Sequence, residues 1–557
     1  MGNMQLRKMI LYFTTVCFVL FSFVPTFYEL SRADKLHADR HFELVHNFPT
    51  DYNFYLSRIR QGLEGRWTAV ERYTSEPHDG SFIHEFYILL GQSGRFSRVP
   101  LHRPGDIYHV ARFVLAVAML AAVAVFVQKS LAGLRQDKPF WVFIAFLLAV
   151  TASSWPKLLA VVDTTIIPAT FTNMQSWRFG GYMSWWSVMD SLQRITFIPH
   201  LLAGQGLIIA IILLVTRKEV VRQSKNVVFI GLLSFILGMI FPPGLLFIYV
   251  VMGIWVMLLG WKREWIVPYA AIVMTSVASL AYLALMTGVY PWKRLAEVDI
   301  IRPLPFDYIE YGKAMGPLLP LGVLGLIVAL YRWETMLFPA VSWVLGWGLL
   351  LGVFAFIPQQ SPLRFSEMIP HVPLGVLTAY LFYASRKYLT APIAAFFPVV
   401  LVIVGLFHMY SSYLWQRDFV DHKIRATLPL VPTGSYVMYP LKDFVSGMQF
   451  IYDHGKGNGV VLSETTAGNY IPAYIGHVVY AGHDNTVAFE GKKEKVREFF
   501  AGNMHETQAR DFVATIGAAY IFFGPQERED GGVSDLKLKY PFLKEVYRNN
   551  QVIVYIP

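Results

Sequence analysis

The chain has 557 residues, of which 55% are hydrophobic and only 15% charged. Soluble domains usually carry about 25% charge, so this composition excludes an ordinary soluble protein. The formal net charge of +10 is scattered over short loops and forms no basic domain, which excludes a nucleic-acid binder, and the single cysteine, Cys17, leaves no intrachain disulfide and no Cys-based zinc or redox site.

Eleven apolar stretches, near 9–28, 107–127, 139–156, 197–216, 226–241, 244–260, 265–289, 316–331, 336–357, 371–385 and 391–411, read as membrane-spanning helices by length and lack of charge. The first follows Arg7 and Lys8. It is long for a signal-peptide core, and its end, Val24-Pro25-Thr26-Phe27-Tyr28, has no small-x-small cleavage site. The reading is an uncleaved span with a cytoplasmic N-terminus. From that start, the inner loops hold Lys129, Arg135 and Lys138, then Arg217, Lys218, Arg222 and Lys225, then Lys262 and Arg263, Arg332, and Arg386 and Lys387. The short outer loops hold fewer basic residues over a greater length, as the positive-inside rule requires. Phe241-Pro242-Pro243-Gly244 separates two short spans, which could instead form a re-entrant pair.

An odd number of spans places the C-terminus outside. The fold class expected is an α-helical polytopic membrane protein with about eleven spans and a C-terminal extracytoplasmic α/β domain. Residues 1–412 form the transmembrane domain, including a first outer loop at 30–106, and 413–557 form the outer domain. Shorter outer loops lie near 157–196, 290–315 and 358–370. In the outer domain, 460–463, 520–524 and 551–556 read as strands, and 492–501 and 506–516 have helical spacing. No internal repeat or low-complexity segment is present, which weighs mildly against a secondary transporter.

The first outer loop carries the strongest chemical signal. Between Phe48 and Gly65, Thr50 reads as a helix N-cap and Gly62 or Gly65 as a stop. Asp51, Tyr55, Arg58 and Gly62 then share one helical face. A carboxylate in the first turn lies at the positive end of the helix dipole, where negative charge is stabilised, and a carboxylate can take a proton from a hydroxyl. The bland alternative is a solvated cap on an amphipathic interfacial helix. Downstream, Glu76, His78, Asp79, His84 and Glu85 crowd one short stretch. Three carboxylates and two histidines could bind a divalent cation or a sugar. As a metal motif the spacing is nonspecific, and a polar turn capped by Glu76 or Asp79 accounts for it equally.

Three further places hold ionisable groups at a membrane boundary, where such groups are functional candidates. Arg194 and His200 flank the outer end of the fourth span. Their plain roles would be snorkelling to headgroups and capping a carbonyl. Arg364, followed by Glu367, sits in a short loop between long apolar helices. A planar guanidinium there suits bidentate binding of a phosphate, with a lone interfacial arginine as the alternative. In the C-terminal domain, Gly482-His483-Asp484-Asn485-Thr486 fits a ligand site or a strand-to-turn cap. No Walker loop, dinucleotide fingerprint or HExxH occurs.

This combination resembles the GT-C superfamily of membrane glycosyltransferases, which includes protein O-mannosyltransferases, the lipid A aminoarabinose transferase and oligosaccharyltransferases. The resemblance covers architecture along the whole chain and, at residue level, rests on the Asp51 segment and more loosely on Arg364. No WWDYG stretch is present, which disfavours an oligosaccharyltransferase, and Asp51 lacks the paired acid that some members carry.

The resemblance implies a hexosyl- or related transferase that takes its sugar from a polyprenyl phosphate at the outer leaflet. Asp51 would be the general base and the reaction inverting. Arg364, with Arg194 and His200, would neutralise the phosphate leaving group, and Arg58 would steady Asp51 or the phosphate. Glu76, His78, Glu85 and Glu367 complete the expected substrate-binding set. The first loop and the C-terminal domain would form the acceptor cleft. The expected partners are the lipid-linked sugar, membrane lipids, and an acceptor protein, lipid or glycan. No cofactor is called for beyond the divalent cation that the acidic stretch would accommodate. A transporter or flippase of lipid-linked saccharides is the main alternative, but few charges fall in mid-span and Pro-Pro-Gly occurs once. A non-catalytic assembly or sensor protein would not need arginines and histidines at the boundary. A ligase of the O-antigen type would place its large loop late in the chain. Asn-x-Ser/Thr sites are all but absent and no retention signal is seen, which points to a bacterial plasma membrane.

Overall fold

The computed structural model describes residues 3–134, 138–162, 165–168, 177–357, 360–432, 438–455 and 459–557, with side chains for these except 3–8 and 160–179. Arg135 and the side chains of Arg7 and Lys8 lie outside the described residues.

All eleven expected spans are helices. The first part of the chain holds α1 (Asn3–Leu30), α2 (Pro49–Leu63), α3 (Glu85–Phe96), α4 (Pro104–Ser130) and α5 (Lys138–Thr151). Then come α6 (Pro199–Val215), the short α7 (Lys218–Val221), α8 (Ser224–Ile240), α9 (Pro242–Leu258), α10 (Arg263–Met286), α11 (Lys293–Ile301) and α12 (Tyr308–Met315). The remaining spans are α13 (Leu318–Tyr331), α14 (Phe338–Phe354), α15 (His371–Ser385) and α16 (Ala391–Arg425).

Not all eleven of these helices have the length of a full crossing. Among the described residues, five helices are long and apolar enough to cross a membrane alone: α1, α4, α10, α14 with its preceding turn, and α16. The count is seven if two bent pairs each make one span: α12 with α13, bent by 82°, and the 3-10 helix Pro362–Met368 with α15, bent by 60°. The other four, α5, α6, α8 and α9, have 14 to 17 residues. At about 1.5 Å per residue, 17 residues reach roughly 25 Å, short of the ~30 Å hydrocarbon layer. Both bends have covalent causes. Gly316 turns with φ +65°, with its Cα against the Ser153 carbonyl, and Pro317 follows it. The 3-10 helix ends at Ile369 with φ +43°, just before Pro370. Pro242 similarly divides α8 from α9.

Packing divides the chain into two units. The first comprises Met1–Pro25, Arg112–Tyr282 and Arg302–Gln416. Its large apolar core is built from helices that approach closely at small residues. Gly375 of α15 lies against the Ala149 backbone of α5, and Gly322 and Gly325 of α13 lie against Leu374 and Leu377 of α15, the packing that stands in for a hydrophobic driving force in lipid. Residues 157–180, expected as a loop, contain a small antiparallel sheet of β1 (Lys157–Val162), β2 (Thr165–Pro168) and β3 (Trp177–Gly180), with β1 central.

The second unit comprises Thr26–Ala111, Leu283–Ile301 and Arg417–Pro557. It therefore joins segment 30–106 to the C-terminal region, whereas the division expected near 412 keeps that segment with the spans. Its sheet holds β4 (Val460–Leu462), β5 (Val478–Val479), β6 (Ala518–Phe523), β7 (Lys544–Arg548) and β8 (Ile553–Ile556), in the order β5-β4-β6-β8-β7. β4 runs parallel to β5 and β6, while β8 is antiparallel to β6 and β7. Helices α17 (Lys442–His454), α18 (Thr465–Tyr474), α19 (Phe489–Phe500), α20 (Glu506–Thr515) and α21 (Pro525–Gly531) complete it. Strands 460–463, 520–524 and 551–556 and helices 492–501 and 506–516 thus fall where the sequence spacing put them, within a few residues.

Candidate functional site

Helix α2 starts two residues earlier than the capping pattern implies. Pro49 holds the first helical position, with its φ preset for a helix. Phe48 precedes it as the cap residue, with no side-chain hydrogen bond. Thr50 is thus inside the helix and Asp51 is third, still in the first turn. The helix ends at Leu63, and Gly65, with φ +96°, supplies the left-handed turn beyond it. Of the two glycines offered as a stop, Gly65 is thus the one at the helix end, and Gly62 has a different role. There α2 crosses α3 backbone to backbone, with Gly62 against Gly91 and the Ile88 carbonyl.

The Asp51 side chain is 52% exposed, and the ring of His483, only 9% exposed, approaches its Oδ1 to 3.7 Å through Nε2. His483 is tightly set. Its ring stacks on Phe54 of α2 at 4.8 Å and lies tilted against Tyr73 at 5.4 Å. Its Nδ1 accepts from the backbone N–H of Asn485 at 3.1 Å. Thr486 Oγ1 ties the same turn to segment 30–106, donating to the Tyr73 carbonyl at 2.6 Å and accepting from the N–H of Gly482. Beside this pair, Pro49, Thr50, Thr466, Asn469, Tyr470 and Asp484 help line a cavity of about 130 Å³ that His483 also faces. Asn469 closes its floor, donating to the Thr50 carbonyl and accepting from Asn53. Tyr470 is held by a 2.7 Å hydrogen bond to Glu43, a buried carboxyl whose pKa burial raises against the pull of Tyr474 and Tyr470.

The other charged residues of this region are committed to structure. Arg58, on the Asp51 face of α2, is completely buried. It donates to Glu71 at 2.6 Å and to the Val70 carbonyl, and its guanidinium lies over the rings of Phe54 and Trp292. The structure gives it these partners in place of Asp51. Glu76 pairs with Lys492 at 2.7 Å and accepts from the Thr74 hydroxyl. Burial would push its carboxyl up, but these two donors bring it below the usual carboxylate range. His78 receives the Glu71 N–H on Nε2 and donates from Nδ1 to the Glu76 carbonyl, so it holds a turn. Glu85 opens α3, and burial raises its pKa to about 7. Glu76 and His78 thus have separate partners, and Glu85 Oε2 is buried with no hydrogen-bond partner among the described residues. Among the described residues, no three His, Cys, Asp or Glu side chains converge as a metal site would need.

In the first unit, Arg194 is buried and donates to the carbonyls of Val150 and Ala152 at the end of α5. A cation on the last carbonyls of a helix is a capping arrangement, so this arginine is inside the fold and does not snorkel. His200 is half-buried at the second position of α6, behind Pro199. Arg364 is half-buried and Glu367 buried within the 3-10 helix Pro362–Met368. That helix is firmly seated. Ser361 caps its start, Gln205 donates to the Glu367 carbonyl, Trp186 to Ser366 Oγ and Trp343 to the Met368 carbonyl. Gln359 and Pro358, just before it, lie outside the described residues.

No family model and no curated protein matches the sequence. Solved structures do match the fold. The oligosaccharyltransferase of Archaeoglobus fulgidus, tethered to an acceptor peptide containing the NVT sequon, superposes with a TM-score of 0.53 at 12% identity, over 98% of this chain and 74% of that one. The same archaeal enzyme, AglB, in complex with an inhibitory peptide and a dolichol-phosphate, gives 0.50 at 12% identity over the same shares. ArnT from Cupriavidus metallidurans, bound to undecaprenyl phosphate, gives 0.49 at 12% identity, over 96% of this chain and 97% of that one. The chain thus shares its fold with the archaeal oligosaccharyltransferase, and its long apolar helices fit a membrane protein. The likeness to an oligosaccharyltransferase is one of fold, and the WWDYG stretch is missing here.

Proposed function

We propose that this protein is a glycosyltransferase that moves a sugar from a polyprenyl-phosphate donor to an acceptor hydroxyl at the outer face of the membrane. One observation carries the reading: in a GT-C-like fold, Asp51 presents an accessible carboxylate in the first turn of α2, beside a cavity. Asp51 accepts the proton of the acceptor hydroxyl. The oxygen attacks the anomeric carbon, the bond from that carbon to the phosphate oxygen breaks, and the configuration inverts. The lipid phosphate departs with the bonding electron pair. Arg364, on its firmly seated turn, is the residue we assign to the growing phosphate charge. The capping role of Arg194 makes it a weaker candidate for that task. The dolichol-phosphate found in complex with the archaeal enzyme supports a polyprenyl carrier. In this reading the N-terminus is cytoplasmic, the second unit lies outside, and the membrane is a bacterial plasma membrane.

The test is turnover of polyprenyl-phosphate sugars by the purified protein, wild type beside Asp51→Asn and Arg364→Ala, with and without EDTA. The expected result is sugar transfer or release by wild type, lost in Asp51→Asn, with weakened lipid binding in Arg364→Ala. Full activity in Asp51→Asn would overturn the base assignment.

A further inference from the structure

We propose that His483 is a positioning residue for Asp51, holding Oδ1 through an Nε2–H donor so that the other carboxylate oxygen faces the acceptor hydroxyl. This rests on the reading of Asp51 as general base. The tautomer follows from the hydrogen bonds. The Asn485 N–H occupies Nδ1 as an acceptor site, so a neutral ring carries its one proton on Nε2, the nitrogen 3.7 Å from Asp51. That distance is longer than a hydrogen bond, as apo catalytic contacts often are before substrate tightens them.

The asymmetry of the pair gives the contact its meaning. Asp51, half-exposed in a first helical turn, has no other ion-pair partner among the described residues and is free to swing into solvent or back onto its own helix. His483 cannot move. Phe54 and Tyr73 hold its ring, and Asn485 and Thr486 fix its turn to segment 30–106. A fixed donor beside a movable acceptor selects one rotamer of that acceptor. Because Phe54 belongs to α2 itself, the ring's position is tied to the helix that carries Asp51. A packing histidine would need the stack and the Asn485 contact alone. The Nε2 side facing a carboxylate is what the packing role leaves unexplained.

Three substitutions separate these roles. His483→Gln keeps an N–H donor near the Nε2 position. His483→Asn keeps a polar atom near Nδ1 for the Asn485 N–H but loses the reach to Asp51. His483→Phe keeps the stacked ring and loses both. The expected result is kcat reduced on the order of 10–100-fold in the Asn and Phe variants, acceptor KM within about twofold of wild type, and substantial recovery in the Gln variant. Equal kcat in the Asn and Gln variants, or wild-type kcat in folded Phe protein, would overturn the proposal. Should the Phe variant not fold, the Asn–Gln contrast decides alone.

A second measurement is independent of turnover, so the pairing is judged even if the transferase reading fails. In protein with 15N-labelled histidine, His483, assigned by comparison with His483→Gln, should show the Nε2–H tautomer, and its Nε2 resonance should shift in Asp51→Asn. An Nδ1–H tautomer, or a resonance unmoved by that substitution, would overturn the contact. No transfer by wild type, or an active Asp51→Asn, would instead overturn the function reading.

Discussion

Two charged residues on one face of helix α2 sit in opposite surroundings. At its start, Asp51 is half-exposed, beside a cavity and facing one well-fixed histidine. Two turns on, Arg58 is sealed from solvent between Glu71, the Val70 carbonyl and two aromatic rings. Both residues lie on the face that the sequence singled out. Burying a guanidinium is costly unless a carboxylate and acceptors surround it, and Arg58 has them. A group so enclosed fixes the fold, and only the accessible one is able to meet a substrate. Proximity along a helix face is thus a poor guide to a shared role.

The sharpest way to break this comparison is to exchange the expected phenotypes. Asp51→Asn should reduce transfer by about 10²–10⁴-fold while thermal unfolding in detergent shifts by no more than about 0.5 kcal/mol. An unfolding shift as large as that of a core mutant would make Asp51 structural. Arg58→Ala should do the reverse, destabilising the second unit by about 3–5 kcal/mol because Glu71 is left buried and unpaired. Restoring stability by adding Glu71→Gln would confirm that the lost pairing is the cause, whereas an unchanged melting temperature would refute the burial argument.

Arg194→Met extends the comparison to the first unit. Leaving the Val150 and Ala152 carbonyls without their donor should cost about 1–3 kcal/mol. Donor-lipid binding by the protein that remains folded should be close to wild type, and a selective loss of binding would return Arg194 to the phosphate. The smallest effect concerns Glu85. Burial raises its pKa from the ordinary 4.5 to about 7, so the folded state binds this proton more tightly than the unfolded chain. Its contribution to stability is full below pH 4.5 and is lost as pH rises through about 7. Glu85→Gln should flatten that part of the stability-versus-pH curve, and identical slopes for the two proteins would rule the effect out.

What was legible in the sequence is what is local. Apolar runs foretold all eleven helices, because a 16-residue charge-free stretch has few other stable forms in lipid. The count of full-length crossings was less legible, since the apolar runs of α5, α6, α8 and α9 form helices of only 14 to 17 residues. Pro49 explains the displaced start of α2, for its ring outweighs the capping preference of Thr50. The remaining differences are pairings between distant parts of the chain. Nothing near Arg58 announces Glu71 as its partner, nothing near Arg194 marks it as the cap of α5, and nothing near Asp51 points to His483. The 482–486 stretch was visible as polar, yet its orientation comes from stacking on Phe54 and Tyr73, which only the folded second unit supplies.

The backbone contact between Gly62 and Gly91 also makes α2 a lever. At about 1.5 Å per residue, Asp51 lies roughly 16 Å from that pivot along the helix axis. Neither glycine leaves room for a methyl group, so even a Gly91→Ala change must tilt or push the arm, and the far tip travels farther than any point near the pivot. The direction of the Asp51 carboxylate is therefore set partly by a joint about three turns away, and a substitution there would re-aim the tip while leaving the tip's own residues unchanged.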